Sequence, residues 1–423
     1  MDGVTVSAAG ALIGLAIAII LILKKVTPTY AMIFGALAGG LIGGAGLDGT
    51  ISFMIAGTEG MINAILRIVA AGILAGTLIE SGAAERIAKT IVDKMGAKRS
   101  MLAIVLATWV LTAVGVFGDV ACLTVAPIAI QIAQRNKFHK MGVLIALIGA
   151  VRAGNAMSPN PNDIAVSEGY GVPLISVIAV GIIPAIAAVI VTTICANKFA
   201  FKGTEFTAAD SVEFEDRELP SFGASMAGPI VAILLLVLRP FAGITIDPII
   251  ALPVGGIIGA LAMGKGRHII EYFGAGLNRM SGVAMLLIGT GAISGIISNS
   301  DLTQIIINAI AFLGLPTMLL APISSILMGA ATASATSGTT LSVQNFGTEI
   351  LASGISPLQA AGMTNCSVFV FDGLPHGSFF HVSAGSVNME IKERLKLLGF
   401  EALNGLVMCV VSVLLYGVIG LAA

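Results

Sequence analysis

Residues 72–96 read GILAGTLIESGAAERIAKTIVDKMG, and residues 290–314, which start 218 positions later, read TGAISGIISNSDLTQIIINAIAFLG. Both stretches consist of a span of small and apolar residues, a polar break, and an amphipathic segment that ends in glycine. A second match, GGLIGGAG at 39–46 with GGIIGALA at 255–262, lies at nearly the same offset. The shared order of spans and breaks predicts that the chain consists of two copies of one fold.

The composition predicts an all-α membrane protein. Hydrophobic residues make up 57% of the 423 residues and charged residues only 11%, with a mean hydropathy of +1.00. Soluble proteins carry about 25% charged residues. Glycine, with 52 residues, is common in membrane helices because it lets backbones approach closely. The net charge of −1 provides no basic surface for nucleic acid.

Apolar segments long enough to enter or cross a bilayer recur along the chain. We place fourteen of them, at 6–23, 30–47, 61–81, 100–117, 120–133, 141–156, 172–197, 223–240, 246–263, 281–298, 315–334, 339–351, 357–371 and 397–421. A hydrophilic stretch interrupts them near the middle. The predicted organisation is therefore a first repeat at 1–198, a cytoplasmic linker at 199–222 and a second repeat at 223–423, with about 12–14 transmembrane segments in total.

The distribution of basic residues predicts that the second repeat is inverted. Seven spans in each copy would place equivalent loops on opposite sides of the membrane. With the N-terminus outside, nineteen of the 22 Lys and Arg residues fall in cytoplasmic loops, all except Arg67, Arg152 and Arg239. This arrangement satisfies the positive-inside rule. Inverted repeats are typical of secondary transporters, so the chain is predicted to be a multi-pass transporter of the inner (plasma) membrane.

Four polar breaks lie within the apolar background, two in each repeat. They are GVFGD at 115–119, NAMSPNPND at 155–163, TASATSGTT at 332–340 and DGLPHGSFF at 372–380. Such breaks predict broken or re-entrant helices, whose free backbone groups are tolerated at membrane depth only where they line a cavity. We expect the four breaks to converge on one cavity.

Arg152 is the main candidate for substrate binding. It lies within the sixth apolar segment, where a charge is costly and usually functional. A guanidinium group suits a carboxylate because it donates two parallel hydrogen bonds. The alternative is a structural ion pair with Asp119 or Asp163. Arg67 lies nearer the edge of its segment and is expected to snorkel to the interface.

Polar side chains in the breaks complete the predicted site. The further substrate-binding candidates are Asn155, Ser158, Asn160, Asn162, Ser337, Thr339, Thr340, His376 and Ser378. The candidates for ion coupling are Asp119, Asp163 and Asp372, because a buried carboxyl group can take up a proton or bind a cation. Structural alternatives remain open: Asp119 as a helix cap, hydroxyls bonded to their own backbone, and His376 as an ordinary turn residue.

The chain resembles the gluconate:proton symporter family, the gluconate permeases of the ion-transporter superfamily. The resemblance covers nearly the whole length, and its motifs are GAAERI at 82–87, FGDV at 117–120, SPNPND at 158–163, ATASATSGTT at 331–340 and LPHGSFF at 374–380. The family has PPHPGP where this chain has SPNPND, so Asn160 takes the place of the family histidine. His376 similarly replaces part of a family Asn-Asp pair.

The resemblance implies a secondary active transporter, not an enzyme, that imports gluconate, glycerate or a related hydroxy acid. Symport with a cation is implied, with H⁺ favoured over Na⁺ and no metal or other cofactor. The expected partners are the organic anion and the lipid bilayer, without nucleic acid; a homodimer remains one alternative for the oligomeric state. Rival functions are a cation/proton antiporter and a Na⁺-coupled carboxylate transporter. An intramembrane hydrolase is disfavoured, because HExxH and GxSxG motifs are missing from the sequence.

Overall fold

The computed structural model describes residues 5–96, 99–210, 218–238, 244 and 246–422. The expectations for Lys98, Arg217 and Arg239, and for the acidic residues of the linker between 211 and 217, lie outside these residues. The described chain is almost entirely helical, as the sequence predicts. The first half contains α1 (Ala8–Leu23), α2 (Pro28–Ile42), α3 (Gly46–Glu59), α4 (Ile62–Glu80), α5 (Ala83–Met95), α6 (Ser100–Ala113), α7 (Gly118–Asn136), α8 (Lys140–Asn155), α9 (Pro161–Tyr170) and α10 (Leu174–Lys198).

The second half contains a similar series of helices. These are α11 (Phe222–Leu236), α12 (Pro248–Ala262), α13 (Ile269–Ser298), α14 (Leu302–Phe312), α15 (Leu320–Thr332), α16 (Ala335–Ala352), α17 (Pro357–Ser367), α18 (Ser378–Ser386), α19 (Ile391–Arg394) and α20 (Leu398–Ser412). Short 3₁₀ segments adjoin α13, α15, α17 and α20, and a π-helical turn, Val413–Val418, follows α20. The continuous α13 occupies the place that α3 and α4 together occupy in the first half.

Equivalent helices in the two halves make equivalent packing contacts. The hairpin α1–α2 packs through glycines, with Gly14 against Gly35, and the hairpin α11–α12 does the same, with Gly228 against Gly255. Helix α12 packs on α4 as α2 packs on α13, and α13 packs against both α3 and α4. Two copies related by a two-fold axis would make these contacts. The inversion of the copies across a membrane stays a prediction.

Helix length differs from the sequence prediction in three places. Within the described ranges, four helical stretches are long and apolar enough to cross a membrane: Ile62–Glu80, Leu174–Lys198, Gly266–Ser298 and Ile391–Val418. The segment expected at 281–298 is part of α13, which begins much earlier, at Ile269. The first half of α13 is more polar, and α13 packs against α4. The segment expected at 120–133 is longer, since α7 runs from Gly118 to Asn136. The region 157–171, expected to be a loop, contains α9, which Pro161 starts at its first turn.

The outer surface of the helices is apolar. Large exposed side chains include Leu12, Ile20, Ile190, Ile194, Leu234, Leu261, Leu403 and Leu414. A soluble chain rarely exposes so much contiguous apolar surface, and lipid is the solvent that it suits. In contrast, α8 is buried over nearly its whole length, from Lys140 to Gly154. This central helix carries Arg152.

The described part of the linker is fastened to the start of α8. Lys140 Nζ lies 2.8 Å from Asp210 Oδ1 and donates a second hydrogen bond to the Asn388 carbonyl. Burial opposes ionisation of Asp210, but hydrogen bonds from Lys140 and Thr207 lower its pKa to about 2. Thr204 also donates to the carboxylate of Glu393 from its N–H and hydroxyl groups. The linker therefore connects the two halves by specific polar contacts.

Candidate functional site

The four breaks meet at a single cavity of about 430 Å³, the central cavity. Its wall includes Gly118 and Asp119 from the first break and Asn155, Asn160 and Asn162 from the second. It also includes Ser334 and Thr336 from the third break and Asp372 and Ser378 from the fourth. The convergence predicted from the sequence is confirmed.

Four helices begin in the wall of the central cavity. Their first turns are at Gly118 of α7, Pro161 of α9, Ala335 of α16 and Ser378 of α18. The N-terminus of a helix carries a partial positive charge and free N–H groups, which favour an anion. The four N-termini therefore favour an anion in the cavity, whose wall also carries the carboxylates of Asp119 and Asp372.

Arg152 lies between these helix ends and is 1% exposed. Its Nη2 atom contacts two carboxylates, Asp372 Oδ1 at 2.6 Å and Glu401 Oε2 at 2.7 Å. Among the described residues, its Nε and Nη1 atoms have no hydrogen-bond partner. The expected structural partners, Asp119 and Asp163, are not the ones that pair with Arg152. The two ion-pair contacts are thus both made by Nη2, and among the described residues all three side-chain nitrogens lack a partner of hydrogen-bond geometry.

A second buried arginine, Arg394, shares Glu401 with Arg152. Arg394 forms an ion pair with the other oxygen of Glu401 and donates from Nε to Ser383 Oγ at 3.2 Å. Two arginines and two carboxylates thereby form a buried network with no net charge. Burial of charges is tolerated where such pairing compensates the loss of water.

Close backbone approach makes room for the network and for the cavity. A Cβ atom on Gly373 would overlap the Glu401 carboxylate and the Arg152 guanidinium. A Cβ atom on Gly118 would meet Val151 at 2.5 Å and Asn155 at 3.3 Å. A larger residue at either position would displace these neighbouring side chains.

The three predicted coupling carboxylates have different surroundings. Asp163 is fully buried and accepts hydrogen bonds from the Ser158 N–H at 2.9 Å and from Asn365. Asp372 is paired with Arg152. Asp119 lies in the cavity wall, and the described residues provide neither a hydrogen bond nor an ion pair to its carboxylate. Asp119 is therefore the carboxylate most available to an ion.

The SPNPND turn is stabilised by its own amides. The Asn160 side chain accepts from the N–H groups of Asn162 and Asp163, so it caps α9. Its Nδ2 atom donates to the Asn155 carbonyl at 2.7 Å and to Ser158 Oγ at 2.8 Å. Asn155 Oδ1 is buried with no hydrogen-bond partner among the described residues. Asn155 and Arg152 both line the central cavity.

Several predicted site residues lie outside the cavity wall. Ser337 accepts from the Thr290 hydroxyl at 3.2 Å, while Thr339 and Thr340 donate to carbonyls of their own helix. His376 Nε2 lies 3.2 Å from the Ala331 carbonyl. Ser158 and Asp163 are also behind the wall. Two other residues of the same break, Ser334 and Thr336, do line the cavity.

Sequence reasoning missed one charged residue and did not predict the ion-pair partners of another. Glu401 lies within the last apolar segment, where an acidic residue is itself a signal of function or pairing. Arg67 was expected to snorkel, but its Nη1 atom contacts Glu168 at 2.8 Å and its Nη2 atom contacts Asp247 at 2.7 Å. Both cases involve partners far apart in the sequence.

Comparison with known proteins gives consistent results. The family described as GntP family permease matches residues 6–419. An uncharacterized transporter of Haemophilus influenzae is 52% identical over 98% of this chain and 99% of its own length. A high-affinity gluconate transporter of Escherichia coli is 24% identical over 76% of this chain and 80% of its own length.

The fold has a solved counterpart. The crystal structure of the YdaH transporter of Alcanivorax borkumensis aligns with a TM-score of 0.63 at 16% identity, over 88% of this chain and 89% of that one. At this identity the similarity concerns the fold alone. The two proteins thus share a helical fold.

Proposed function

This chain belongs to the GntP family of permeases, and on that premise we propose that it imports a small organic anion by symport with a cation. It is a multi-pass membrane protein of a transporter family. The proposed cargo is gluconate, glycerate or a related hydroxy acid, and the proposed coupling ion is H⁺. Because the relatives include gluconate transporters, a sugar acid is the first substrate to test.

The observation that carries the proposal is the position of Arg152. Arg152 lines a cavity on which four helix N-termini converge, and its Nε and Nη1 donors have no hydrogen-bond partner among the described residues. Unpaired buried donors are costly, since each leaves a desolvated N–H group without a hydrogen bond. A carboxylate of the cargo would remove that cost. A cation alone would be repelled by the same groups.

The remainder of the cavity suits a hydroxylated chain. A volume of about 430 Å³ is within the usual size for a small-molecule site. The Asn155 amide and the hydroxyls of Ser334, Thr336 and Ser378 can exchange hydrogen bonds with hydroxyls of the cargo. Apolar side chains such as Val151 and Leu286 complete the wall.

The coupling proton is proposed to bind at Asp119. The buried network around Arg152 is neutral when empty, so an added anion leaves one uncompensated negative charge. A proton on a carboxylate in the same cavity would compensate that charge. Asp119 supports this role because it lies at the start of α7 and has no ion-pair partner among the described residues, whereas Asp372 is already paired. Na⁺ at the same carboxylate is the alternative.

We also propose that residues 1–198 and 223–423 are inverted repeats joined by the linker at 199–222. The support is the matching order of helices and contacts together with the charge distribution. A cation/proton antiporter, the rival within the superfamily, is disfavoured by Arg152. An intramembrane hydrolase is disfavoured by the positions of Ser337 and His376 behind the cavity wall.

The test is uptake by the purified protein in proteoliposomes. Labelled gluconate and glycerate are supplied with a pH gradient or a sodium gradient imposed separately. Sorbitol is the matched control, because it differs from gluconate at the carboxylate-bearing carbon and carries no charge. We expect acid uptake driven by the pH gradient and no uptake of sorbitol. Equal transport of sorbitol would contradict the anion site, and uptake driven only by sodium would contradict proton coupling.

A further inference from the structure

A second cavity of about 410 Å³ lies beside the central cavity. Its wall is formed by the start of α4, by α9 and by the length of α16. Polar members of this wall are Asn63, Glu168, Thr340, Gln344 and Thr348. We call it the second vestibule.

The two cavities follow one another along the same helices. On α16, Thr336 lines the central cavity and Thr340 lines the second vestibule. On α9, Asn162 lines the former and Ala165 the latter. Residues three or four apart on a helix share one face about one turn apart. The cavities are therefore consecutive along one path, with roughly one helical turn between them.

The internal repeat relates the two cavities to each other. Leu123, in the central cavity, lies 217 positions before Thr340, in the second vestibule. Arg279, in the central cavity, lies 218 positions after Met61, in the second vestibule. The outer part of the central cavity, at Leu123 and Arg279, is thus the repeat counterpart of the second vestibule, whereas the breaks around its centre are counterparts of one another. In inverted repeats, counterpart cavities open to opposite sides of the membrane.

Polar contacts join the helices that form the second vestibule. Arg67 on α4 contacts Glu168 on α9 at 2.8 Å and Asp247, the cap of α12, at 2.7 Å. The side chains of Arg67 and Glu168 are 18% and 26% exposed. Gln344 Nε2 also contacts Met61 Sδ at 3.0 Å, between α16 and α4. The central cavity extends to Arg279, whose side chain is 37% exposed and pairs with Glu80 at 3.1 Å.

We propose that the second vestibule is the route by which the organic anion reaches the central cavity from the opposite side of the membrane. The Arg67–Glu168 pair is its latch, which holds α9 against α4 while the central cavity is open at Arg279. This inference rests on the proposed transport function. It adds a second cavity and a pair of gating residues to that function.

Thiol labelling from each side of the membrane tests the route. In a background with the four native cysteines replaced and uptake retained, Leu123→Cys probes the central cavity and Thr348→Cys the second vestibule. Lys137→Cys and Ser353→Cys, at the ends of α7 and α16, are controls that report the two sides. With an impermeant reagent, we expect Leu123→Cys to react only from the side of Lys137→Cys, and Thr348→Cys only from the side of Ser353→Cys.

Modification of Thr348→Cys with a bulky reagent should also stop uptake. Labelling of Thr348→Cys from the same side as Leu123→Cys, or full modification without loss of uptake, would overturn the route. Uptake by the unmodified protein is measured in parallel. Failure of the unmodified protein to transport any organic acid contradicts the proposed function instead, so the two failures are distinguished.

The latch is tested by Glu168→Gln, which removes one charge and leaves Arg67 paired with Asp247. Gln344→Cys, deeper in the second vestibule, is the reporter. We expect Glu168→Gln to make its labelling faster by about two- to fivefold, because a partly exposed ion pair contributes only a small free energy. Glu85→Gln, which breaks an ion pair with Lys89 far from the vestibule, is the matched control. An unchanged rate in a folded Glu168→Gln variant would overturn the latch.

Discussion

The break before α7 and the break before α16 lie at matched positions in the two repeats but differ in chemistry. In the first, Gly115 has φ +100°, Phe117 is extended, and Asp119 is the second residue of α7. In the second, Ala333 has φ +46°, Ser334 caps the helix, and Thr336 is the second residue of α16. Asp119 and Thr336 lie 217 positions apart and both line the central cavity.

The difference indicates how a duplicated fold acquires two functions at one cavity. Both breaks direct a helix N-terminus at the same place, so both favour an anion. At the matched position, one supplies a carboxylate that can bind a proton and the other a hydroxyl that can bind the cargo. We therefore expect the first break to serve the coupling ion and the second break to serve the substrate.

The largest effect is expected from exchanging the matched polar residues. Asp119→Asn should reduce uptake driven by the pH gradient by roughly ten- to hundredfold, the equivalent of about 1.5–3 kcal/mol for an interaction with a charged group. Thr336→Val should instead raise KM by less than about tenfold and leave proton coupling intact, since a neutral hydrogen bond contributes about 0.5–1.5 kcal/mol. Initial rates with and without the gradient measure both.

Exchange of gluconate across membranes without a gradient is the control for Asp119→Asn. We expect this variant to lose proton coupling but to keep gluconate binding, so gluconate exchange should continue. If Thr336→Val abolishes coupling and Asp119→Asn only raises KM, the proposed assignment of the two breaks is reversed.

A smaller effect, of opposite sign at the two breaks, is expected from the backbone. Gly115→Ala places a Cβ at φ +100° and should lower the free energy of unfolding by about 1–2 kcal/mol. Ala333→Gly relieves a left-handed alanine and should raise that free energy by up to about 1 kcal/mol. Thermal unfolding in detergent measures both. If Ala333→Gly lowers the free energy of unfolding as much as Gly115→Ala does, the two turns do not differ in strain.

The smallest effect is expected at the helix cap. Ser334 Oγ accepts a hydrogen bond from the Ser337 N–H at 3.3 Å, whereas Phe117 provides no side-chain cap to α7. Ser334→Ala should therefore cost about 1 kcal/mol of stability, and Ser334→Thr, which keeps the acceptor, should cost less. Equal thermal unfolding of the two variants would mean that the cap does not stabilise α16.

The sequence predicts the breaks and their convergence because small, polar and Pro residues in an apolar chain have few structural alternatives. It identifies Arg152 because an isolated charge in such a segment stands out. It does not identify Glu401 as the partner, since that contact joins residues 249 positions apart and depends on how α20 packs. Similarly, the choice of Thr336 over Thr339 depends on helix rotation, which periodicity alone leaves undetermined.

The central claim is that Arg152 binds the carboxylate of the cargo, and the most direct test is the apparent KM of Arg152→Lys in proteoliposomes. Lysine keeps the charge facing Asp372 and Glu401 but loses the planar set of donors, at a cost of about 1–3 kcal/mol. We expect a KM for the acid that is at least about tenfold higher, in a variant whose thermal unfolding is close to that of the unaltered protein. An unchanged KM would show that Arg152 serves the ion pair alone.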